Sequence, residues 1–165
     1  MQKLVALMLV RKNDGLILGV SACLVYNGAR GGCRMDGLAE VSFVNRYVLK
    51  SRRERLLYEL STPSKCRDAL SRFCHQASQL LDPARIRMQG EDLDRSAPFL
   101  SFVRDHDGLC LVLSPDCYPD GEQMMLHDAL SWAVSWPDAV LILGNGLAVV
   151  FGEAFKGGRG KFLLV

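Results

Sequence analysis

The sequence carries little net charge and no apolar run long enough to cross a membrane. Its 20 Lys and Arg residues exceed its 18 Asp and Glu residues by only two, so no overall field would drive the chain onto nucleic acid or anionic lipid. Residues 139–151 form an apolar stretch of about 13 residues, interrupted by Gly144, whereas a membrane-spanning helix needs roughly 20. We therefore predict no nucleic-acid partner and no transmembrane helix.

Low-complexity tracts, internal repeats and a secretory leader are also lacking. Residues 4–10 are apolar, but Arg11 and Lys12 end that run and no small-residue cleavage site follows, so we expect the N-terminus to be part of the fold. The chain has 165 residues, of which 49% are hydrophobic and 23% charged. These values are typical of one globular domain with a substantial core.

The cysteines lack the spacing of a metal site. They form no C-x-x-C pair, and only Cys74 and His75 lie close together in the sequence, so a four-ligand zinc site is disfavoured. Three of the cysteines fall on apolar faces. We interpret the set as buried thiols in a reducing compartment; its members are Cys23, Cys33, Cys66, Cys74, Cys110 and Cys117.

Catalytic motifs are missing as well. There is no nucleophile elbow of the G-x-S-x-G type, so no catalytic triad can be drawn. Cys74 and His75 are neighbours in a predicted helix, where adjacent side chains point about 100° apart, which disfavours a dyad. We interpret His106 as a turn residue and His127 as a residue on the solvent face of a helix. The sequence therefore predicts no catalytic residue and no enzyme.

Phosphate-binding loops are incomplete. Gly144-Asn145-Gly146 lacks the third glycine of a dinucleotide fingerprint, and Gly160-Lys161 is followed by Phe162 where a P-loop has Ser or Thr. A basic run could contact phosphate or acidic lipid, but its interleaved leucines favour a solvated helix face; the run consists of Lys50, Arg52, Arg53 and Arg55. We predict no cofactor and no metal.

The sequence opens on a β-hairpin. Residues 3–11 and 16–26 are almost continuously apolar and meet at the polar turn Asp14-Gly15, a pattern that predicts two central strands covered on both faces. Residues 27–60 follow as an excursion, in which we interpret 27–50 as a loop with at most one edge strand.

A clear helical pattern covers residues 64–81. Ser61 or Thr62 could cap this helix, Pro63 suits its first position, and Asp82-Pro83 would end it. Apolar residues recur at the spacing of one helix face: Cys66, Ala69, Leu70, Phe73, Cys74, Ala77, Leu80 and Leu81.

Further strands and a second helix follow. Residues 85–89 predict a short strand, and residues 99–113 predict a strand-turn-strand hairpin that turns at 105–108. A helix is predicted at about 122–135. Residues 139–151 predict two short strands, and we expect the basic, glycine-rich residues 155–161 to be mobile, so that residues 152–165 can be removed with the fold intact.

This order of elements resembles the longin domain, the N-terminal part of one group of vesicle-trafficking SNARE proteins. Residues 3–18 are similar to the family's opening strand, its Asp-Gly-Leu turn and the return into the sheet. Residues 99–113 are similar to its strand-turn-strand, and residues 117–119 (Cys-Tyr-Pro) stand where the ER-to-Golgi R-SNARE branch has an aromatic-proline pair. The resemblance covers residues 3–26 and 64–134.

The resemblance implies an α/β (α+β) fold over residues 1–136, with a longin-like (profilin-like) five-stranded mixed or antiparallel sheet flanked by helices. Residues 137–165 would be a C-terminal hairpin and tail. The implied function is a non-enzymatic protein-interaction module in vesicle-mediated transport between ER and Golgi. Its partners would be SNARE, coat or tether proteins on the cytosolic face of the membranes, with peripheral membrane association.

The resemblance also places binding in a groove beside the first helix and the strand at 85–89, either as a helix-in-groove contact or as an apolar peptide. No binding residue is assigned there, since Leu70, Phe73, Leu80 and Leu81 are first of all core residues.

The chain departs from the longin pattern in three places. Residues 27–60 exceed the usual link, residues 90–96 are added, and residues 139–165 replace a third helix; a heptad SNARE motif and a membrane anchor are absent from the sequence. Two other classes stay open: a secretion-chaperone-like α/β peptide-binding protein, which the slightly basic charge disfavours, and a small hydrolase.

Overall fold

The computed structural model describes residues 37–115, 119–135, 138–153 and 159–165. The predicted strands at 3–11 and 16–26 and their turn at Gly15 lie outside these ranges. Within them the helices are α1 (Leu38–Tyr47), α2 (Lys50–Ser61), α3 (Cys66–His75), α4 (Ala77–Leu80), α5 (Ala97–Asp105) and α6 (Leu126–Ser135). The strands are β1 (Ile86–Gly90), β2 (Leu109–Leu113), β3 (Gln123–Met125), β4 (Ala139–Leu143), β5 (Ala148–Glu153) and β6 (Arg159–Leu164).

The six strands of the described ranges form one antiparallel sheet in the order β1-β6-β5-β4-β2-β3. β4 and β5 are buried at almost every position, because helices pack on both faces of the sheet. Helices α1 to α4 cover one face, and α5 and α6 cover the other. The coarse prediction of an α+β fold with helices flanking a sheet is therefore confirmed.

The helix predicted at 64–81 is confirmed as α3 and α4, and its apolar stripe faces the core. Phe73 is 2% exposed and meets the Phe43 ring edge-on at 5.8 Å between centroids. The predicted start of the helix is wrong, because α3 begins at Cys66. Ser61 and Thr62 instead donate their hydroxyl hydrogen bonds to the carbonyl oxygen of Tyr58, at the end of α2.

The loop predicted at 27–50 is wrong for residues 38–47, which form α1. Phe43, Val44 and Tyr47 are all buried, at the spacing of one helix face. The basic run after it does lie on a helix, as predicted, since α2 begins at Lys50.

The strand predicted at 99–104 is also wrong, and with it the hairpin with 109–113. These residues belong to α5, whose Ser96 hydroxyl accepts a hydrogen bond from the Phe99 N–H at 3.4 Å. Phe99 and Phe102 lie three residues apart and are both buried, as on a helix face. The strand at 109–113 is confirmed as β2, but it pairs with β3 and β4.

The C-terminal part of the sequence prediction is confirmed in one half and overturned in the other. The two strands around residues 144–147 are present as β4 and β5. The tail predicted after them is wrong for residues 159–164, which form β6, a strand inside the sheet between β5 and β1. Phe162, Leu163 and Leu164 are buried there, so removing residues 152–165 would break the sheet.

The second predicted helix is confirmed as α6, although residues 123–125 before it form β3. Three cysteines lie in the described ranges: Cys66 is disulfide-bonded, so the prediction of a buried thiol is wrong there, whereas Cys74 and Cys110 are free and buried as predicted. None of the helices in the described ranges combines the length and apolar character that a membrane span requires.

Candidate binding groove

Among the described residues, α1 is the last helix of the layer over the first face of the sheet, and a groove lies beside it. We call this the α1 groove; its volume is about 460 Å³, within the range of ligand-binding clefts. The N-terminal half of α1 forms one wall, and the ends of β2, β3 and β4 form the floor. The lining residues are Leu38, Ala39, Ser42, Phe43, Leu109, Cys110, Leu111, Gln123, Ile142, Leu143, Gly144 and Gly146.

The wall of the groove is fixed by contacts at the other end of α1. The Tyr47 hydroxyl donates a hydrogen bond of 2.6 Å to the carbonyl oxygen of Gly146, in the turn between β4 and β5. Burial raises the pKa of Tyr47, so the hydroxyl stays protonated as a donor. Phe43 is 4% exposed and packs against the Tyr47 ring at 5.5 Å. The helix is therefore held in place while Leu38, at its first turn, is 91% exposed.

The floor of the groove combines buried and exposed apolar residues of the sheet. In the register of β2 and β3, Leu109 faces Met125 and Leu111 faces Gln123. Because side chains alternate along a strand, Leu109 and Leu111 point to the same face of the sheet. Leu111 packs against the core, but Leu109 is 58% exposed. Among the described residues, the groove thus ends in an apolar side chain that is largely exposed.

The lining of the groove is mostly apolar and carries no ionised side chain among the described residues. Among the described residues that form it there is no carboxylate, histidine, lysine or arginine. Cys110 is 1% exposed, and burial raises the pKa of its thiol to about 11. A thiol with that pKa holds very little thiolate at neutral pH. The groove can hold an apolar surface, and its lining offers no activated nucleophile.

Cys74 and His75 are not brought together by the structure. Cys74 points into the core and is fully buried; burial, with a smaller contribution from Asp138, raises the pKa of its thiol far above the usual range. His75 lies half-exposed between two carboxylates, with Nδ1 at 2.9 Å from Glu153 Oε1 and Nε2 at 3.5 Å from Asp138 Oδ2. These contacts link α3 to the ends of β4 and β5.

The other two histidines lie at helix ends. His106 follows α5, stacks on Phe102 at 4.4 Å and has Nδ1 at 2.9 Å from the Phe102 carbonyl oxygen. His127 is exposed on α6, between Asp107 at 3.4 Å and Asp128 at 3.1 Å. Both positions agree with the interpretation of the sequence.

Two carboxylates outside the groove are withdrawn from solvent: Glu40 is buried and Asp120 is partly buried. Asp120 accepts a 3.0 Å hydrogen bond from the Ser114 N–H, which ties the loop between β2 and β3. Burial raises the pKa of Asp120, and the neighbouring Glu40 raises it further, while Arg67 lowers it. Glu40 is 7% exposed, and within the described part of the chain its Oε2 atom has no hydrogen-bond partner. The hydrogen bond to Asp120 fixes the loop at the sheet edge. In the described ranges, no group of three His, Cys, Asp or Glu side chains is arranged to hold a metal ion.

The core residues named from the sequence are found as core. Leu70, Phe73 and Leu81 are buried against the sheet, and Leu80 is partly buried beside them. Sequence reasoning missed the α1 groove, because its residues come from positions 38–43, 109–111 and 142–146. The exposed Leu109 at the start of an otherwise buried strand is the feature that marks it.

Comparison of the chain with protein-family models, with curated proteins and with solved structures finds no match in any of the three.

Proposed function

We propose that this protein is a non-enzymatic interaction module that binds an amphipathic helix of a partner protein in the α1 groove. The observation that carries the proposal is the exposed apolar surface at Leu38 and Leu109, which are 91% and 58% exposed in the described structure. Single exposed leucines are common on protein surfaces. Here, however, two of them border one apolar groove about 460 Å³ in volume.

The shape of the groove suits a helix. One wall is itself a helix, and the floor is a sheet, so a second helix can lie beside α1 as the next element of the same layer. Apolar residues at positions i, i+3, i+4 and i+7 of the partner would then contact Leu38, Leu109 and Leu111. Full burial of each leucine would contribute about 1.5–3 kcal/mol before the entropic cost of association.

We further propose that the partner is a SNARE, coat or tether protein of ER-to-Golgi transport, on the cytosolic face of those membranes. This part of the proposal is supported by the sequence alone, chiefly by the longin-like opening at residues 3–18. The helical structure of residues 99–104 removes one element of that resemblance. The proposal that the protein binds a partner helix therefore depends on the α1 groove. The proposal that the partner belongs to ER-to-Golgi transport depends on the sequence pattern at residues 3–18.

The proposal can be tested with fluorescently labelled peptides. A SNARE-motif helix from an ER-to-Golgi SNARE should bind the purified chain, whereas a peptide of the same composition in scrambled order should not. The Leu109→Asp variant should weaken binding by about tenfold or more, because a charge would then lie against the apolar face of the ligand.

Leu100→Asp is the matched control. Leu100 is 52% exposed on α5, away from the groove, so this variant should bind like the parent chain. Equal affinity for the two peptides, or equal loss in the two variants, would contradict the proposal. If an apolar peptide from another class of protein binds and the SNARE peptide does not, the interaction class stands and the trafficking setting is wrong.

A further inference from the structure

A second cleft lies between α2 and the pair α3–α4, and its lining is dominated by arginine and glutamine. We call it the arginine cleft. Its volume is about 350 Å³, large enough for a small phosphorylated molecule or headgroup. The residues that line it are Arg52, Arg55, Leu56, Glu59, Arg72, Gln76, Gln79 and Leu80.

A carboxylate positions two of the arginines. Glu59 accepts a 3.0 Å hydrogen bond from Arg55 Nε through one oxygen, and it accepts a second from Arg72 Nη2 through the other. These arginines hold the pKa of Glu59 below its usual value, so the carboxylate is charged at neutral pH. Arg55 and Arg72 are thereby fixed in the cleft, with their other N–H groups left for a ligand.

The charge of the cleft is not balanced by its own residues. Three guanidinium groups face one carboxylate among the lining residues. Within the described part of the chain, the guanidinium of Arg52 has no hydrogen bond or ion pair of its own. The exposed amides of Gln76 and Gln79 add neutral donors beside it.

We propose that the arginine cleft binds a phosphate group, either of a free pyrophosphate or phosphomonoester or of a phosphorylated lipid headgroup. Guanidinium groups pair with phosphate oxygens in a bidentate manner. Three arginines around one cleft therefore match a phosphate ligand better than they match a single carboxylate ligand. The basic run 50–55 alone is typical of a solvated helix face. The structure adds Arg72, Gln76 and Gln79 from the facing helices, so that donors from both sides converge.

Calorimetric titration with inorganic pyrophosphate tests the proposal on the full chain. Pyrophosphate should bind saturably and more weakly as salt is added, because the cleft is open to solvent. In NMR spectra the side-chain amides of Gln76 and Gln79 should shift. Arg52→Gln should weaken binding by about tenfold or more, since it removes charge-assisted hydrogen bonds to the ligand. It should leave the fold intact, since Arg52 forms no side-chain bond in the described structure.

Arg87→Gln is the matched control, because Arg87 is an exposed arginine on the edge strand β1 and does not line the arginine cleft, so the variant removes the same charge outside the proposed site. Its affinity for pyrophosphate should equal that of the parent chain. Co-sedimentation with phosphatidylcholine vesicles, with and without phosphatidic acid, separates the two sources of phosphate. Co-sedimentation that requires both phosphatidic acid and Arg52 would identify a lipid headgroup as the ligand. Pyrophosphate binding without such co-sedimentation would identify a soluble ligand. Failure of both probes to bind, or the same loss from Arg87→Gln as from Arg52→Gln, would overturn the proposal. The outcome is independent of peptide binding in the α1 groove.

Discussion

The contact between Gly152 and α3 gives the sharpest stability prediction. A Cβ atom at Gly152 would lie 2.3 Å from the carbonyl oxygen of Cys74 and 3.1 Å from its carbonyl carbon, whereas ordinary Cβ contacts are 3.4–4 Å. Both obstructing atoms are backbone, so the end of α3 must move by about 1 Å to admit one methyl group. Overpacking of this kind costs about 3 kcal/mol, at the upper end of the usual range. Gly152→Ala should therefore lower the melting temperature by about 6–12 °C.

Gly90→Ala is the control for this prediction. Gly90 lies on β1, and a Cβ there would have no atom within 4 Å, so the variant should be neutral or slightly stabilising. Urea denaturation monitored by circular dichroism gives both free energies of unfolding. If Gly152→Ala unfolds at the same urea concentration as Gly90→Ala, the close approach of β5 to α3 is wrong.

Three further predictions concern α2, α3 and the buried thiols. Phe73→Ala should cost about 3–5 kcal/mol of unfolding free energy, because the ring is in the core, whereas Gln76→Ala on the exposed face should have almost no effect. Equal effects of the two variants in denaturation would show that α3 is not amphipathic. The folded pKa of Glu59 is lowered, so the carboxylate stabilises the fold above its unfolded pKa of about 4.3, and this stabilisation is lost as pH falls through the folded pKa. The difference in unfolding free energy between the parent chain and Glu59→Gln should therefore close in acid. A difference that does not depend on pH would contradict this. Cys74 and Cys110 should resist iodoacetamide in the folded chain and react in urea, because both thiols are buried and their pKa values are raised. Peptide mass spectrometry would measure the labelling of each cysteine. Rapid labelling of either in the folded chain would contradict their burial.

The apolar periodicity of the sequence located α3, because a stripe at helical spacing is a local property that burial then reinforces. The same local signal was present for α5 but was outweighed by the β-propensity of its aromatic residues. Ser96 as the N-cap and Pro98 in the first turn mark the start of a helix, and Phe99 and Phe102 have helical spacing. Tertiary packing on the sheet satisfies that spacing, which shows why aromatic content alone is a weak indicator of a strand.

The position of β6 could not be derived from the sequence. Arg159 to Leu164 reads as a basic, glycine-containing end, and nothing local shows that β5 and β1 lie on either side of it. The α1 groove and the arginine cleft could not be derived from the sequence either. The fold alone places Leu38 and Leu109 in one groove and Arg55 and Arg72 in one cleft, since each pair combines residues from separate elements.

The most direct test of the central claim is NMR mapping of the surface contacted by an amphipathic SNARE-motif helix. With methyl groups labelled, titration should shift the resonances of four residues that line the α1 groove: Leu38, Leu109, Leu111 and Ile142. The methyls of Leu100 and Val134, exposed on α5 and α6, should stay unchanged. Shifts confined to Leu100 and Val134, or no shift at saturating peptide, would contradict the assignment of the α1 groove as the binding site.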